Sequence, residues 1–167
     1  MAGSFYRYMD MKNRKTFVTP AGRLLMTEED GFITGLERAG KEDFDSDSDT
    51  INKAIAELRE YFSGERKTFT VPVKQTGTPF QMSVWQALRD IPYGETRTYK
   101  DIAIAIGRPN ACRAVGNANH VNSVLIFTPC HRVIGADGSL TGFAAGMEMK
   151  KYLLELEQKN KAPTNDR

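Results

Sequence analysis

Two cysteines and two histidines are all that a chain of 167 residues contains. Two thiols cannot build the disulfide framework of a small secreted scaffold. Neither residue type occurs before Cys112, so no zinc site of thiolate or imidazole ligands can form in the N-terminal part. No apolar run is long enough to cross a bilayer, and the opening MAGSFYRYMD has neither the basic segment nor the apolar stretch of a secretory signal. A cytoplasmic protein is therefore expected, with its cysteines kept as free thiols. A strong charge excess is missing too. The net charge of +2 is too mild to indicate a polyanionic partner by itself. Its distribution says more: Ser83 to Ile134 holds six Lys/Arg against three acids, whereas the first 76 residues hold twelve basic and thirteen acidic side chains.

What is present, with 40% hydrophobic residues, suits one ordinary domain or two small ones. From Phe5 to Arg38 short alternating stretches, broken at Asn13-Arg14, at Pro20-Ala-Gly22 and at Glu29-Asp-Gly31, predict an antiparallel meander. The acidic run Glu42 to Asp49 has the alternation of a calcium loop. Thr50 stands where that motif needs glycine and Ala56 where it needs glutamate, so a solvated loop with Asp49 capping the next helix is expected. Residues 51, 54, 55, 58 and 62 make a helical stripe; KTFTVPV, ending at Val73, reads as one more strand. Val73 to Pro79 reads as a linker, giving a β-sheet and helix domain over 1–76, a second domain over 77–160 and a tail over 161–167. The expected fold class is α+β, with a small β-rich N-terminal domain carrying a helix and a mostly helical C-terminal domain.

In that second part Phe80, Val84, Trp85 and Leu88 share a helical face. Thr98 to Ile106, a break at GRPN, and a helix with Ala111, Ala114, Val115 and Ala118 inward then suggest a helix-turn-helix. This leaves Cys112, Arg113, Gly116 and Asn117 on the outer side. A face with one arginine among small residues favours close backbone approach to a duplex over reading of base edges. Arg113 is either a phosphate contact, an insert into the base stack, or an ordinary exposed arginine. A last helix spans about Met147 to Gln158, and the rest reads as a frayed end.

The stretch TPCHRVIG sets Cys130 beside His131 after the apolar run Val124 to Phe127. Adjacent side chains diverge on strand and helix alike, so a bridging water suits the pair better than a direct hydrogen bond. Reactivity would also need positive charge near the thiol, which Arg132 supplies in sequence. Two other readings stand beside a nucleophile with its base. A cysteine after an apolar strand can be a small buried hydrophobe. Cys112, His120, Cys130 and His131 could also be zinc ligands, although they lack the paired spacing of a zinc site.

The block PCHRVIG, with RAVGNANHVN upstream and VWQALRDIPYGETRTY before that, resembles the O6-alkylguanine-DNA alkyltransferases, the methylated-DNA–protein-cysteine methyltransferases, over roughly Phe80 to Glu157. The resemblance implies single-turnover repair without a cofactor or metal. An alkyl group would pass from O6-alkylguanine, and from O4-alkylthymine as well, to Cys130 after the base is flipped out of double-stranded DNA. It makes His131 the water-mediated base, Glu157 the carboxylate that orients it, and Tyr99 a nucleotide-rotating residue and proton donor. Arg113 becomes the finger filling the stack, with Ala111, Cys112, Gly116 and Asn117 beside it on the DNA face. Asn122 becomes a structural brace, and Val133, Phe143 and Ala144 line the substrate pocket. A monomer that binds DNA largely without sequence specificity is implied. The proline-rich Asn-Pro-x-Pro stretch of many members is replaced here by Asn122-Ser-Val-Leu125, which would loosen the brace. Two rivals remain: a lesion sensor that binds without chemistry, and a thiol hydrolase that turns over repeatedly.

Overall fold

The computed structural model describes residues 12–140, 143 and 145–162. Ala144, the meander before residue 12 and the tail from residue 163 lie outside them.

Three strands, β1 (Lys12–Thr19), β2 (Gly22–Glu29) and β3 (Phe32–Arg38), pair antiparallel in that order. The β2–β3 turn is Asp30-Gly31 with φ of 52° and 82°, the left-handed pair that matches strand twist in a two-residue hairpin. Asn13-Arg14 does not break the chain as expected. It lies inside β1, where Asn13 Nδ2 donates to Glu28 Oε2 at 2.9 Å and the ladder continues through both residues. Leu24 and Met26 point inward from β2 and share a core with Ile51, Ala54, Ile55 and Leu58 of α1 (Asp49–Phe62). Ser48, not Asp49, caps this helix: its side chain accepts from Ile51 N at 3.0 Å, leaving Asp49 to favour the N-terminal dipole from the first turn.

KTFTVPV is not a strand of its own but meets β3 through one parallel bridge, Ile33 to Val73. The reason is chemical. Pro72 has no N–H to donate, and the amides of Thr70 and Val71 are taken by the Glu57 carboxylate at 2.7 and 3.3 Å. β3 also reaches the second half of the chain, since Leu36 N donates to Ser123 O and Leu125 N to Leu36 O, both at 2.9 Å. The hydrophobic core runs on through both halves.

Thr78 caps α2 (Pro79–Arg89) in a reciprocal box with Gln81, and Pro79 occupies the first turn, where its missing N–H costs nothing. Val84, Trp85 and Leu88 are buried on its inner face. Two-residue β4 (Arg97–Thr98) leads into α3 (Tyr99–Ala105), capped by Thr98 and Asp101 in the same way. Gly107 at φ 75° turns the chain towards α4 (Cys112–His120). The buried face of α4 is Val115, Ala118 and Asn119; Ala111 is only half-buried and Ala114 is exposed, so the expected small-residue stripe is displaced. The last helix, α5 (Met147–Asn160), runs two residues past the end expected at Gln158. Among the described residues no helix is long and apolar enough to cross a membrane.

Candidate active site

The apolar run before Cys130 is not a strand. All four of its residues are buried, but only Val124 makes a bridge, to Leu36 of β3. The chain coils instead, with Phe127 N donating to Leu125 O at 2.7 Å and Thr128 N to Val124 O at 3.1 Å. Ile126 sits at φ 70°, a conformation that costs a β-branched residue on the order of 1–3 kcal/mol and persists only where the surroundings enforce it. Cys130 to Arg132 then form a single 3-10 turn, which runs into β5 (Val133–Ile134). β5 pairs parallel with β4, so the exit of the cysteine turn lies against the residues that cap α3 and precede Tyr99.

Cys130 is 1% exposed and His131 fully buried. Burial pushes the Cys130 thiol up to about 11, against the opposing effects of a hydrogen bond from the Asn122 side chain, the charge of Lys150 and the backbone at Cys130 and His131. The cation facing the thiol is therefore Lys150 of α5. Arg132, expected from its position in sequence, is turned to Glu157, with Nε at 2.7 Å from Oε1, and to Ile91 O. Lys150 Nζ also donates to Val133 O at 2.6 Å.

His131 Nε2 lies 2.5 Å from Glu157 Oε2. Burial would raise the Glu157 carboxyl, but the hydrogen bonds from His131 and Arg132 and the charge of Arg132 more than reverse this and hold it far below the usual range. An ionised Glu157 can only accept, so the proton of this contact is on Nε2. Nδ1 then carries a free lone pair, buried and without a hydrogen-bond partner among the described residues. Burial, chiefly, lowers the His131 imidazole, with Glu157 opposing, so the ring is neutral near pH 7. The thiol and the imidazole thus diverge, one towards Asn122 and Lys150, the other towards Glu157.

Asn122 links the segments around the turn. Its Nδ2 donates to Thr128 O at 2.8 Å, and its Oδ1 accepts from Gln75 Nε2 at 2.6 Å and Val124 N at 3.0 Å. Gln75 Oε1 in turn accepts from Thr128 Oγ1 and from Arg89. Asn119 Nδ2 approaches Cys130 O at 3.4 Å, its Oδ1 buried without a partner among the described residues. The Cys130 carbonyl thus already holds two donors, Asn119 Nδ2 and Val133 N, and the Val133 carbonyl holds Lys150 Nζ. Phe143 is buried.

On α4, Arg113 and Asn117 are exposed, whereas Ala111, Cys112 and Gly116 are half-buried. The Tyr99 ring lies over Gly116, where a methyl group would meet it at 3.8 Å. Tyr99 and Arg113 therefore stand on adjoining helices at one face, and His120, one turn beyond Gly116, is exposed. The zinc reading fails on this geometry: among the described residues no three His, Cys, Asp or Glu side chains come together as a metal site.

A family model described as the DNA binding domain of 6-O-methylguanine DNA methyltransferase matches residues 79–159, and that of its ribonuclease-like domain matches 13–75. The constitutive methylated-DNA–protein-cysteine methyltransferase of Bacillus subtilis is 47% identical over 154 residues, 86% of this chain and 93% of that protein. The chain belongs to the methylated-DNA–protein-cysteine methyltransferase family. The crystal structure of the Mycobacterium tuberculosis O6-methylguanine methyltransferase is similar at 42% identity and a TM-score of 0.84, covering 93% of this chain and 97% of that one. A structure of the M. tuberculosis protein in complex with DNA matches with a TM-score of 0.82 at 42% identity, over 91% and 96% of the two chains. Sequence reasoning missed several polar side chains of this methyltransferase's site: Tyr61, Gln75, Arg89, Asn119 and Lys150. A lysine or glutamine in an amphipathic segment gives no sign that it will be buried, and only Lys150's place on the inner face of α5, beside Met149 and Leu153, could have marked it.

Proposed function

We propose that this methyltransferase repairs DNA by moving an alkyl group from O6 of a flipped-out alkylguanine, or O4 of alkylthymine, to Sγ of Cys130, once per molecule. The observation that carries the reading is His131 held by an ionised Glu157 at Nε2, which leaves Nδ1 as a base beside a cysteine that burial keeps neutral at rest.

A thiol held up at about 11 supplies little thiolate by itself near pH 7. The proton passes through one water to His131 Nδ1, and Glu157 stabilises the resulting imidazolium, as the acid partner does in hydrolytic triads. The thiolate then attacks the alkyl carbon; the S–C bond forms as the C–O bond breaks. The electron pair left on oxygen spreads into the purine, which takes a proton at N3 from Tyr99. Tyr99 recovers its proton from solvent as the imidazolium loses its own. The product thioether is stable to water and thiols, so no step regenerates Cys130.

α3 and α4 act as the helix-turn-helix that meets double-stranded DNA, largely without sequence specificity. Arg113 fills the gap in the stack, and the half-buried residues Ala111, Cys112 and Gly116, with exposed Asn117, admit the backbone closely. The backbone at Cys130 and Val133 meets the base's amino group, with Phe143 on the other wall. Asn122 serves as the brace, and its bonds to Thr128, Val124 and Gln75 support that role without the proline-rich stretch. The division into 1–76 and 77–160, a monomeric state and a cytoplasmic location complete the proposal.

The test is to incubate the protein with a duplex carrying one O6-methylguanine and weigh it. One methyl group per chain, mapped to Cys130, is the expected result. Repeated turnover, or a label on Cys112, overturns the reading.

A further inference from the structure

The site's polar centre is completed from the N-terminal half. Tyr61, near the end of α1, is fully buried, and its hydroxyl donates to Glu157 Oε2 at 2.6 Å across 96 positions of sequence. That is the oxygen to which His131 Nε2 is bound, and Arg132 reaches it as well at 3.1 Å. Burial and the neighbouring carboxylate raise the Tyr61 phenol well above its ordinary value, so it remains a donor at any working pH. The ring is fixed by Phe62 and Tyr93 edge-on at 5.4 and 6.1 Å.

We propose that Tyr61 is a positioning residue for alkyl transfer: its hydroxyl shares Oε2 of Glu157 with the His131 ring and limits how strongly that carboxylate attracts the imidazole's proton. The inference rests on the proposed role of His131 as the base. A charge-assisted hydrogen bond to a carboxylate lowers the carboxylate's affinity for any other proton. With Tyr61 in place, Glu157 orients the imidazole while drawing less on it, and the ring stays neutral, ready to accept the thiol's proton, further into acid. The other groups facing this pair are Arg132 on its own turn, Lys150 from α5 and Tyr93 from the loop before β4; Cys130 faces Lys150. None of them is replaced in the test.

Tyr61→Phe removes the hydroxyl and keeps the ring. In the full-length variant, NMR titration of the His131 ring is expected to move up by about one pH unit. The acid limb of the single-turnover transfer rate to an O6-methylguanine duplex should rise with it. On that limb the rate falls about tenfold, while the plateau at higher pH does not drop. Phe62→Leu, which loosens the same packing but leaves the hydroxyl, should lower the melting temperature without moving either titration. 3-Fluorotyrosine incorporated at position 61 alone strengthens the donor at a nearly unchanged shape, and should shift His131 the opposite way even if Tyr61→Phe does not fold. An unmoved His131 titration in the variant and the labelled protein overturns the proposal. If instead the wild type never alkylates Cys130, the proposed function fails while the NMR comparison still decides whether Tyr61 tunes His131.

Discussion

Glu157 takes contacts from five donor groups on three segments: Tyr61 Oη, Gly94 N, His131 Nε2, and Arg132 Nε and its terminal nitrogen. Because its carboxyl is held low in the folded protein, its stabilising effect is complete above the unfolded carboxylate range, near pH 4, and is lost as pH falls further towards the folded value. Glu157→Gln leaves Arg132 buried without its counter-charge, and should cost about 3–5 kcal/mol near neutrality in urea denaturation. Repeated down the pH scale, the gap between variant and wild type should close below about pH 4. Two further residues separate binding from chemistry. Arg113→Ala should weaken duplex binding and slow transfer on DNA while sparing reaction with free O6-benzylguanine, where no base needs to be flipped. Tyr99→Phe should slow both, since the proton donor is missing in either case; an unchanged free-base rate would remove that role.

At the scale of elements, α4 carries a glycine in mid-helix, where alanine would ordinarily be better by about 0.5–1 kcal/mol. A methyl group at Gly116 would meet only the Tyr99 ring, at an ordinary 3.8 Å. Gly116→Ala should therefore raise the melting temperature slightly and weaken duplex binding, because it fills a gap on the face proposed to approach DNA. Equal affinity in the two proteins would place the backbone of α4 away from the duplex. Helices of this kind were legible in the sequence. Apolar spacing placed α1 and α5 to within two residues of their observed ends and marked the inner face of α2, and the turn residues of Pro20-Ala-Gly22 and Glu29-Asp-Gly31 placed both hairpins. What failed to show was structure made by long-range contacts. β4 and β5 are two residues each and exist only through one another. KTFTVPV has strand composition, but Glu57 takes its amides. The coil at Ile126 reads as a strand because burial on every side leaves no period. Within the site, Cys130, His131 and Glu157 were found through family-like spacing, whereas Tyr61 and Lys150 come from helices whose own sequence gives no hint of the turn they serve.

For the whole molecule, the decisive fact is that one core and several buried polar links cross from the first half of the chain to the second: Leu36 with Ser123 and Leu125, Gln75 with Asn122, Tyr61 with Glu157. Loss of either half would leave buried polar groups of the other without partners. Unfolding should therefore be a single event, with the far-ultraviolet circular dichroism of the whole chain and the fluorescence of Trp85 in the second half changing at the same urea concentration. Two separated midpoints would contradict it. The same connectivity exposes the fold to its own product. An alkyl group on a cysteine only 1% exposed must displace packed neighbours, at a cost of about 1–3 kcal/mol for overpacking. Methylated protein should melt below the free thiol form, and benzylated protein lower still. Equal melting temperatures for all three would show that the thiol opens onto a roomy cleft.

The chain's sole tryptophan is attached to one of its proposed DNA-contacting helices: the indole N–H of Trp85 donates to Ala118 O of α4 at 2.9 Å, in a site 4% exposed. The protein thereby carries an intrinsic optical gauge, without any added dye. Its emission should be blue in so buried a setting, and titration with duplex would report whether the bond to α4 shifts as DNA docks.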